Sequence, residues 1–369
     1  MTIPADALGP WQTIHVRDPR VGLEAIVVVD NVACGPAIGG VRMATDVSEQ
    51  EVFRLARAMT FKNAAAGLAH GGGKAGIVAD PSVPLEQKER LIRAFARAIE
   101  GLSAYIPGPD MGTDERCMAW LHDEIGRAVG LPRVIGGIPL DEIGATGFGL
   151  AVAARAIEDL IGVPVRGARV AIQGFGAVGK HAARFLQEHG AIIVAIGDSK
   201  GAAGKRDGID LAKAIALKEA GRSVRELEGA TSLSASELVA VECDVWVPAA
   251  RPDVITEANE ASLKAKLVLP GANIPATDEA ERRLHARGVW VLPDFVANAG
   301  GVICAAVEHH GGGQAQALAA IEEKIGHNAR EVIERSKRDR VRPREAAVAM
   351  ARARVEQAAL YRRRGWPAV

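Results

Sequence analysis

Long apolar runs are missing from this chain, and none reaches the length needed to cross a membrane. The opening residues, Met1-Thr-Ile-Pro-Ala-Asp6, have no basic flank and no apolar centre, so they do not read as a signal peptide. Net charge is missing as well. The 45 Lys and Arg balance 45 Asp and Glu, which leaves no long-range field pointing to nucleic acid or an anionic membrane as a partner. Cysteine is scarce. Cys34, Cys117, Cys243 and Cys304 are scattered without a C-x-x-C pair, which favours reduced thiols and a cytoplasmic protein over disulfides or zinc, and no metal is expected. There are no internal repeats and no low-complexity tracts.

What is present is an ordinary globular composition, 48% apolar and 24% charged, over 369 residues, enough for two domains. The most informative segment runs from Phe61 to Gly76 and carries two lysines twelve residues apart, Lys62 late in a helical pattern and Lys74 after Gly71-Gly72-Gly73. Glycines without Cβ let backbone approach a ligand, and a desolvated lysine has a lowered pKa suited to a general base. A phosphate loop is excluded twice, by Leu68 where glycine is required and by Ala75 where Ser or Thr is required. A tight turn ending in a solvated lysine is the plain alternative for the segment.

Glu24–Asp30 and Gly76–Asp80 read as strands, Ser48-x-x-Glu51 as a capping box opening a helix toward Lys62, and 85–100 and 114–129 as helices. The Gly- and Pro-rich stretch 130–147 reads as the domain boundary. Beyond it strands and helices alternate: strands at 169–173, 191–196, 243–247, 267–269 and 289–292, and a helix at 177–189. That alternation implies a parallel sheet covered by helices. Two helices follow from Gln314, and the basic stretch 335–344 reads as a solvated helix junction.

Gly174-Phe-Gly176-Ala177-Val178-Gly179 follows a strand and opens a helix, the context a dinucleotide fingerprint requires. The first glycine permits the turn, the second admits the pyrophosphate and the third lets helix pack on strand, while the helix N-terminus favours the phosphate charge. Asp198 ends the next strand, where an acidic residue grips the adenosine ribose, which favours NAD. Ser199, Lys200, Lys205 and Arg206 follow closely and keep NADP open.

Together with Gly35–Met43, Pro109-Asp-Met-Gly-Thr113, Ala145-Thr146-Gly147, Gly271-Ala-Asn273 and Pro293–Gly301, these segments resemble, in order and over nearly the whole chain, the amino-acid dehydrogenase superfamily of glutamate, leucine, phenylalanine and valine dehydrogenases. The resemblance implies an α/β protein of two domains. One is an N-terminal substrate-binding and oligomerisation domain (1–140 plus 331–369). The other is a Rossmann-type dinucleotide-binding domain (141–330), with a cleft between the two. It implies reversible oxidative deamination, in which the α-hydrogen of an L-amino acid leaves as hydride to NAD or NADP, water adds to the imine, and ammonia and a 2-oxo acid are released. By resemblance, Lys62 pairs with the α-carboxylate, Lys74 activates water, and Asp110 exchanges protons with the amino nitrogen. Gly39 and Gly40 bring backbone to the substrate, Thr146 and Asn298 lie near the nicotinamide, and Asn273 contacts cofactor or substrate. The family is oligomeric, so a homo-oligomer is expected. His70 is taken as structural, and neither Cys34 nor Cys304 has a neighbour suggesting a nucleophile.

In the glutamate enzymes a lysine just before the Gly-Gly segment and a serine after the Ala-Gly-Gly segment bind the side-chain carboxylate. Here those places hold Ile38 and Ala305. Burying a carboxylate there unpartnered would cost several kcal/mol, whereas an apolar side chain gains about 25 cal/mol per Å² buried. An apolar L-amino acid such as Phe, Leu or Val is therefore expected. Two alternatives stay open: a glutamate dehydrogenase with an altered pocket, favoured by the look of 110–120, 145–147 and 271–273, and a non-catalytic NAD-binding sensor.

Overall fold

In the computed structural model residues 5–361 are described, and the chain divides into two compact units. The first comprises Met1–Leu140, Val302–Ala320 and Val348–Val369; the second comprises Asp141–Gly301 and Ile321–Ala347. The segment 302–320, expected in the dinucleotide domain, belongs to the first unit. Glu308 explains why: its two carboxylate oxygens accept the buried N–H groups of Leu131 and Ile138, at 3.0 and 2.8 Å. Ile321–Ala347, expected to divide at 331, stays with the second unit, where Arg330 donates to Ala156 O and Asp159.

The first unit is built from β1 (Gln12–Asp18), β2 (Leu23–Asn31), β3 (Ala37–Ala44), α1 (Glu49–Ala65), β4 (Gly71–Val78), α2 (Leu85–Ala98), β5 (Tyr105–Pro109) and α3 (Glu115–Ile125). Its sheet runs β1-β2-β4-β3-β5. β1, β2 and β4 pair antiparallel, and β3 pairs parallel to both β4 and β5. One face, with Val27, Val29, Val41, Ala75 and Ile77, packs on α2 and α3 through Ile92, Phe95, Met118 and Leu121. The other, with Ile26 and Val28, packs on Val52 and Ala56 of α1.

The three glycines before Lys74 are strand, not turn. A Cβ on Gly72 would lie 2.0 Å from Thr60 N, and one on Gly76 2.4 Å from Val47 Cγ1, so glycine at both places lets α1 seat against the sheet. Side chains alternate along a strand, so Lys74, between those two glycines, is the one side chain β4 sends to that face there. Strands β3 and β5 escaped the sequence reading because Gly39-Gly40 and Pro107-Gly108-Pro109 carry little β signal, and β1 was not read either.

The second unit contains α4 (Leu140–Ile143, from Asp141 on), α5 (Ala145–Ile161), β6 (Arg169–Gln173), α6 (Ala177–Glu188), β7 (Ile192–Asp198), β8 (Gly201–Gly204), α7 (Leu211–Glu219), β9 (Thr231–Leu233), α8 (Ala235–Val239), β10 (Val245–Pro248), β11 (Leu267–Val268), α9 (Asp278–Ala286), β12 (Trp290–Val291) and α10 (Asp294–Ala297). The chain ends in α11 (Gly300–His309), α12 (Gln314–Asp339) and α13 (Pro343–Ala359). The sheet order is β12-β11-β10-β6-β7-β8-β9, parallel from β12 to β7. An antiparallel extension of β8 and β9 follows, which the sequence reading lacked. No helix among the described residues is long and apolar enough to cross a membrane.

Candidate functional site

In the first unit the strands bring two distant residues together. β4 and β5 both flank β3, so Lys74 on β4 and Asp110 at the end of β5 face each other across it, with Lys74 Nζ 2.8 Å from Asp110 Oδ2. The turn after β5 is pinned to β3. Thr113 Oγ1 donates to Val41 O at 2.7 Å and accepts from Asp110 N at 3.0 Å, and Gly112 takes φ +82° where Met43 O leaves no room for a Cβ. Asp110 is therefore not a helix cap. That role falls to Asp114, whose carboxylate accepts Cys117 N. Gly40 lies against the pair, since a Cβ on it would sit 2.7 Å from Asp110 Cβ and 3.2 Å from Lys74 Nζ. Gly39 answers a different need, for its Cβ would be 1.6 Å from Gly73 O in the neighbouring strand.

Arg42, to which the sequence reading gave no role, completes the cluster. It shares the strand face of Gly40 and reaches Asp110 Oδ2 through Nε at 3.3 Å and Glu51 through Nη1 at 2.5 Å. The signal was its place two residues after Gly40, the same face of a strand. Glu51 thus turns to Arg42 rather than closing a capping box, although Ser48 still accepts Glu51 N. Burial alone would raise the Asp110 pKa, but Lys74 and Arg42 outweigh it and hold the carboxyl below its ordinary range. Ile38 is buried two residues before Gly40, on the same face as Lys74. Lys62 is half-buried in the last turn of α1, the helix packed on that face. Ala305, in α11, is buried within the same unit.

His70 packs rather than reacts. It is 1% exposed, its Nδ1 donates to Pro36 O at 3.0 Å, and its Nε2 is therefore left to accept from His310 Nε2 at 3.2 Å, with the His309 ring alongside. Burial, joined by the neighbouring imidazoles, pushes its pKa down from 6.5 to about 4. In that interval the unfolded chain binds a proton that the folded one does not, so stability from this group is complete above pH 6.5 and is lost as pH falls toward 4. Thermal midpoints measured across that range should fall with acidity in the wild type and fall less steeply in His70→Asn. Parallel curves for the two proteins would show that His70 carries none of the dependence.

In the second unit the glycine motif has the geometry of a dinucleotide cradle. Gly174 takes φ +98°, and a Cβ on Gly179 would be 1.9 Å from Gly174 O, while nothing lies within 4 Å of the Cβ position of Gly176. Gly176 caps α6 without a side-chain bond, and Ala177 and Val178 begin the helix, so its first N–H groups remain for an anion. Beside Gly174, at the carboxyl ends of β6, β7 and β10, a cavity of about 960 Å³ is lined by Asp198, Ser199, Lys200, Arg225 and Arg251 among others. Asn298 Nδ2 donates to Asn273 Oδ1 at 2.9 Å, and buried Asn298 Oδ1 has no partner. Thr146 lies in the first turn of α5, with the Cβ position of Gly301 3.6 Å from its Oγ1. These features fit a dinucleotide.

Asp198 is hydrogen-bonded within the fold. Its carboxylate already accepts Lys218 Nζ, Ser223 Oγ and the N–H groups of Lys200 and Val224, all at 2.9–3.0 Å. Burial would raise its pKa, but these partners lower it to about 2. Both oxygens thus tie the turn after β7 to the end of α7 and the segment that follows, and Asp198 still lines the cavity beside Gly174.

The sequence profile described as glutamate/leucine/phenylalanine/valine dehydrogenase matches residues 136–363, and that family's dimerisation domain matches residues 10–127. The chain belongs to this family. A Pyrobaculum calidifontis protein named NADP(+)-dependent glutamate dehydrogenase is 39% identical to this family member over 303 residues, 77% of the chain and 72% of the relative. Two solved structures share the fold. The hetero-hexameric glutamate dehydrogenase of Thermus thermophilus in a leucine-bound form superposes at TM-score 0.85 with 29% identity, covering 95% of this chain and 90% of that one. The L-tryptophan dehydrogenase of Nostoc punctiforme gives 0.75 with 25% identity, covering 94% and 96%. The protein is thus a two-domain α/β amino-acid dehydrogenase, its N-terminal unit the family's dimerisation domain and its other sheet of Rossmann type.

Proposed function

We propose that the protein deaminates an apolar L-amino acid oxidatively and reversibly, using NADP or NAD. The observation that carries this reading is the Lys74–Asp110 pair set against Gly40, with Ile38 on the same strand face. When bound, the nicotinamide supplies the hydride acceptor. Lys62 would pair with the α-carboxylate. Asp110, kept ionised by Lys74 and Arg42, accepts a proton from the substrate ammonium, which frees the nitrogen lone pair for the departing hydride. Lys74 holds the water that adds to the imine carbon, and one proton of that water passes to solvent. Asp110 returns its proton to the nitrogen and takes up the hydroxyl proton as ammonia leaves and the carbonyl forms. On the second unit Gly174, Gly176, Gly179 and the start of α6 would hold the pyrophosphate, with Thr146, Asn273 and Asn298 toward the nicotinamide end.

Ile38 and Ala305 support an apolar side chain, and Arg42 supports it further, because its guanidinium is already engaged by Glu51 and Asp110 and so is not available to a substrate carboxylate. The second reading, glutamate, is favoured by the name of the Pyrobaculum relative. For the cofactor, the engaged Asp198 together with Lys200 and Arg225 at the cavity supports acceptance of the 2′-phosphate of NADP. The dimerisation-domain match and the hexameric neighbour support an oligomer.

The test is reduced-nicotinamide absorbance at alkaline pH with L-Phe, L-Leu, L-Val, L-Trp and L-Glu, each with NAD and NADP. Turnover of apolar substrates in preference to glutamate is expected, with NADP accepted. Turnover of glutamate alone would replace the apolar reading by the second one. Dinucleotide binding without turnover of any of the five would overturn the apolar reading and move weight to an untested amine or to the sensor.

A further inference from the structure

Three non-glycine residues among those described adopt left-handed backbone: Asp253 (φ 51°), Ile274 (φ 47°) and Arg340 (φ 55°). Two of them are hydrogen-bonded to each other, Asp253 N donating to Ile274 O at 2.9 Å. Both follow parallel strands, β10 and β11, at the carboxyl end of the sheet where open α/β sheets bind ligands, and Asp253 lines the cavity beside Gly174. A β-branched residue in this conformation is strained, and such strain persists only where the surroundings over-determine it.

The surroundings of Ile274 are specific. Its N–H donates to Asp294 Oδ2 at 3.0 Å. The other oxygen of Asp294 accepts Arg344 Nη2 at 2.9 Å, and Arg344 Nε reaches Glu281 Oε2 at 2.7 Å. Asp294 and Glu281 are 5% and 1% exposed, so the network is buried. The backbone carbonyl of Asp294 also accepts Asn298 N, at 2.8 Å. One residue therefore holds both sides of the Asn273–Asn298 amide pair: its carboxylate fixes the residue after Asn273, and its carbonyl fixes Asn298. That pair retains an unpartnered buried acceptor, Asn298 Oδ1.

We propose that Asp294, held by Arg344, is a positioning residue for the dinucleotide site, keeping Ile274 left-handed so that Asn273 and Asn298 present their amides to the nucleotide. This rests on the dinucleotide reading above. A purely architectural role predicts something different. If the network only holds the fold, Asp294→Asn lowers stability and leaves nucleotide affinity as before. Glycine adopts left-handed backbone freely, so Ile274→Gly removes the strain that Asp294 opposes and, in the Asp294→Asn background, should restore affinity lost through this backbone.

The experiment titrates NADPH into the full-length protein by nucleotide fluorescence, without amino acid, and measures the thermal midpoint in parallel. Ile274→Gly alone is expected to leave the midpoint unchanged or higher and NADPH binding within about twofold of wild type. Asp294→Asn is expected to weaken it by about tenfold or more, the effect of one charge-assisted hydrogen bond. Adding Ile274→Gly to Asp294→Asn is expected to recover about threefold or more of that loss. Should the Asp294 variants fail to fold, Arg344→Lys, which loosens the same carboxylate, is expected to weaken NADPH binding in the same direction. Undiminished NADPH binding in the folded Asp294 or Arg344 variant, or a loss in Asp294→Asn that Ile274→Gly does not relieve, overturns the proposal while leaving the dinucleotide reading intact. A wild type that binds neither NADPH nor NADH overturns both.

Discussion

Asp110→Asn is expected to lower kcat by about 10²–10⁴-fold, the range contributed by a positioned general acid or base. The side chain keeps its shape and loses its charge, and with it the ability to take a proton. The substitution also removes the one anion that Lys74 and Arg42 share, at 2.8 and 3.3 Å. Glu51 continues to neutralise Arg42, so the uncompensated charge falls on Lys74, whose side chain is 9% exposed. Some loss of thermal stability should accompany the loss of rate, because a buried charge without its partner is costly. The two effects separate through the other unit. The groups proposed to hold the dinucleotide lie in the second unit, so NADPH affinity should be retained while turnover is lost. A kcat within threefold of wild type, about 0.7 kcal/mol in barrier, would remove Asp110 from the proton transfers.

Ile38→Lys should exchange substrate preference. Ile38 is 3% exposed, and its register partner on β4 is Gly72, so the position has no polar side chain opposite it. In the wild type a glutamate side chain arriving there would lose water and gain no cation, a penalty of several kcal/mol and hence a discrimination of roughly 10²-fold or more. The lysine variant reverses this: its ammonium is unpaired with an apolar substrate and paired with glutamate. kcat/KM for L-Phe or L-Leu is expected to fall by about 10- to 100-fold and that for L-Glu to rise by about tenfold or more. Ile38→Met, apolar and of similar volume, should keep the wild-type ranking, which separates charge from shape. If the Phe/Glu ratio is the same in wild type and Ile38→Lys, the substrate side chain does not meet Ile38 and the apolar reading loses its main support.

The parts of the chain legible from sequence are those whose cause is local. Gly174–Gly179 could be read because the strand, the turn and the helix it requires are contiguous, and the alternation after residue 168 announced a parallel sheet. The order of the motifs was enough to identify the family, and with it Lys74 and Asp110 as candidates. Where the cause was distant, the reading failed. Gly71–Gly73 looked like a turn because glycine usually is one, but here α1 and the neighbouring strands leave no space for a Cβ. Glu51 matched a capping box, but Arg42, nine residues earlier, draws its carboxylate away. Asp198 was legible as an acid ending a strand, but not its partners Lys218, Ser223 and Val224, which come from 20 to 26 residues downstream. Residue type and spacing by themselves determined which chemistry the protein is equipped for. Only the tertiary structure decided which charges are partnered, because a carboxylate's partner is whatever cation the fold brings within hydrogen-bond distance, and that distance is fixed by sheet order and helix seating.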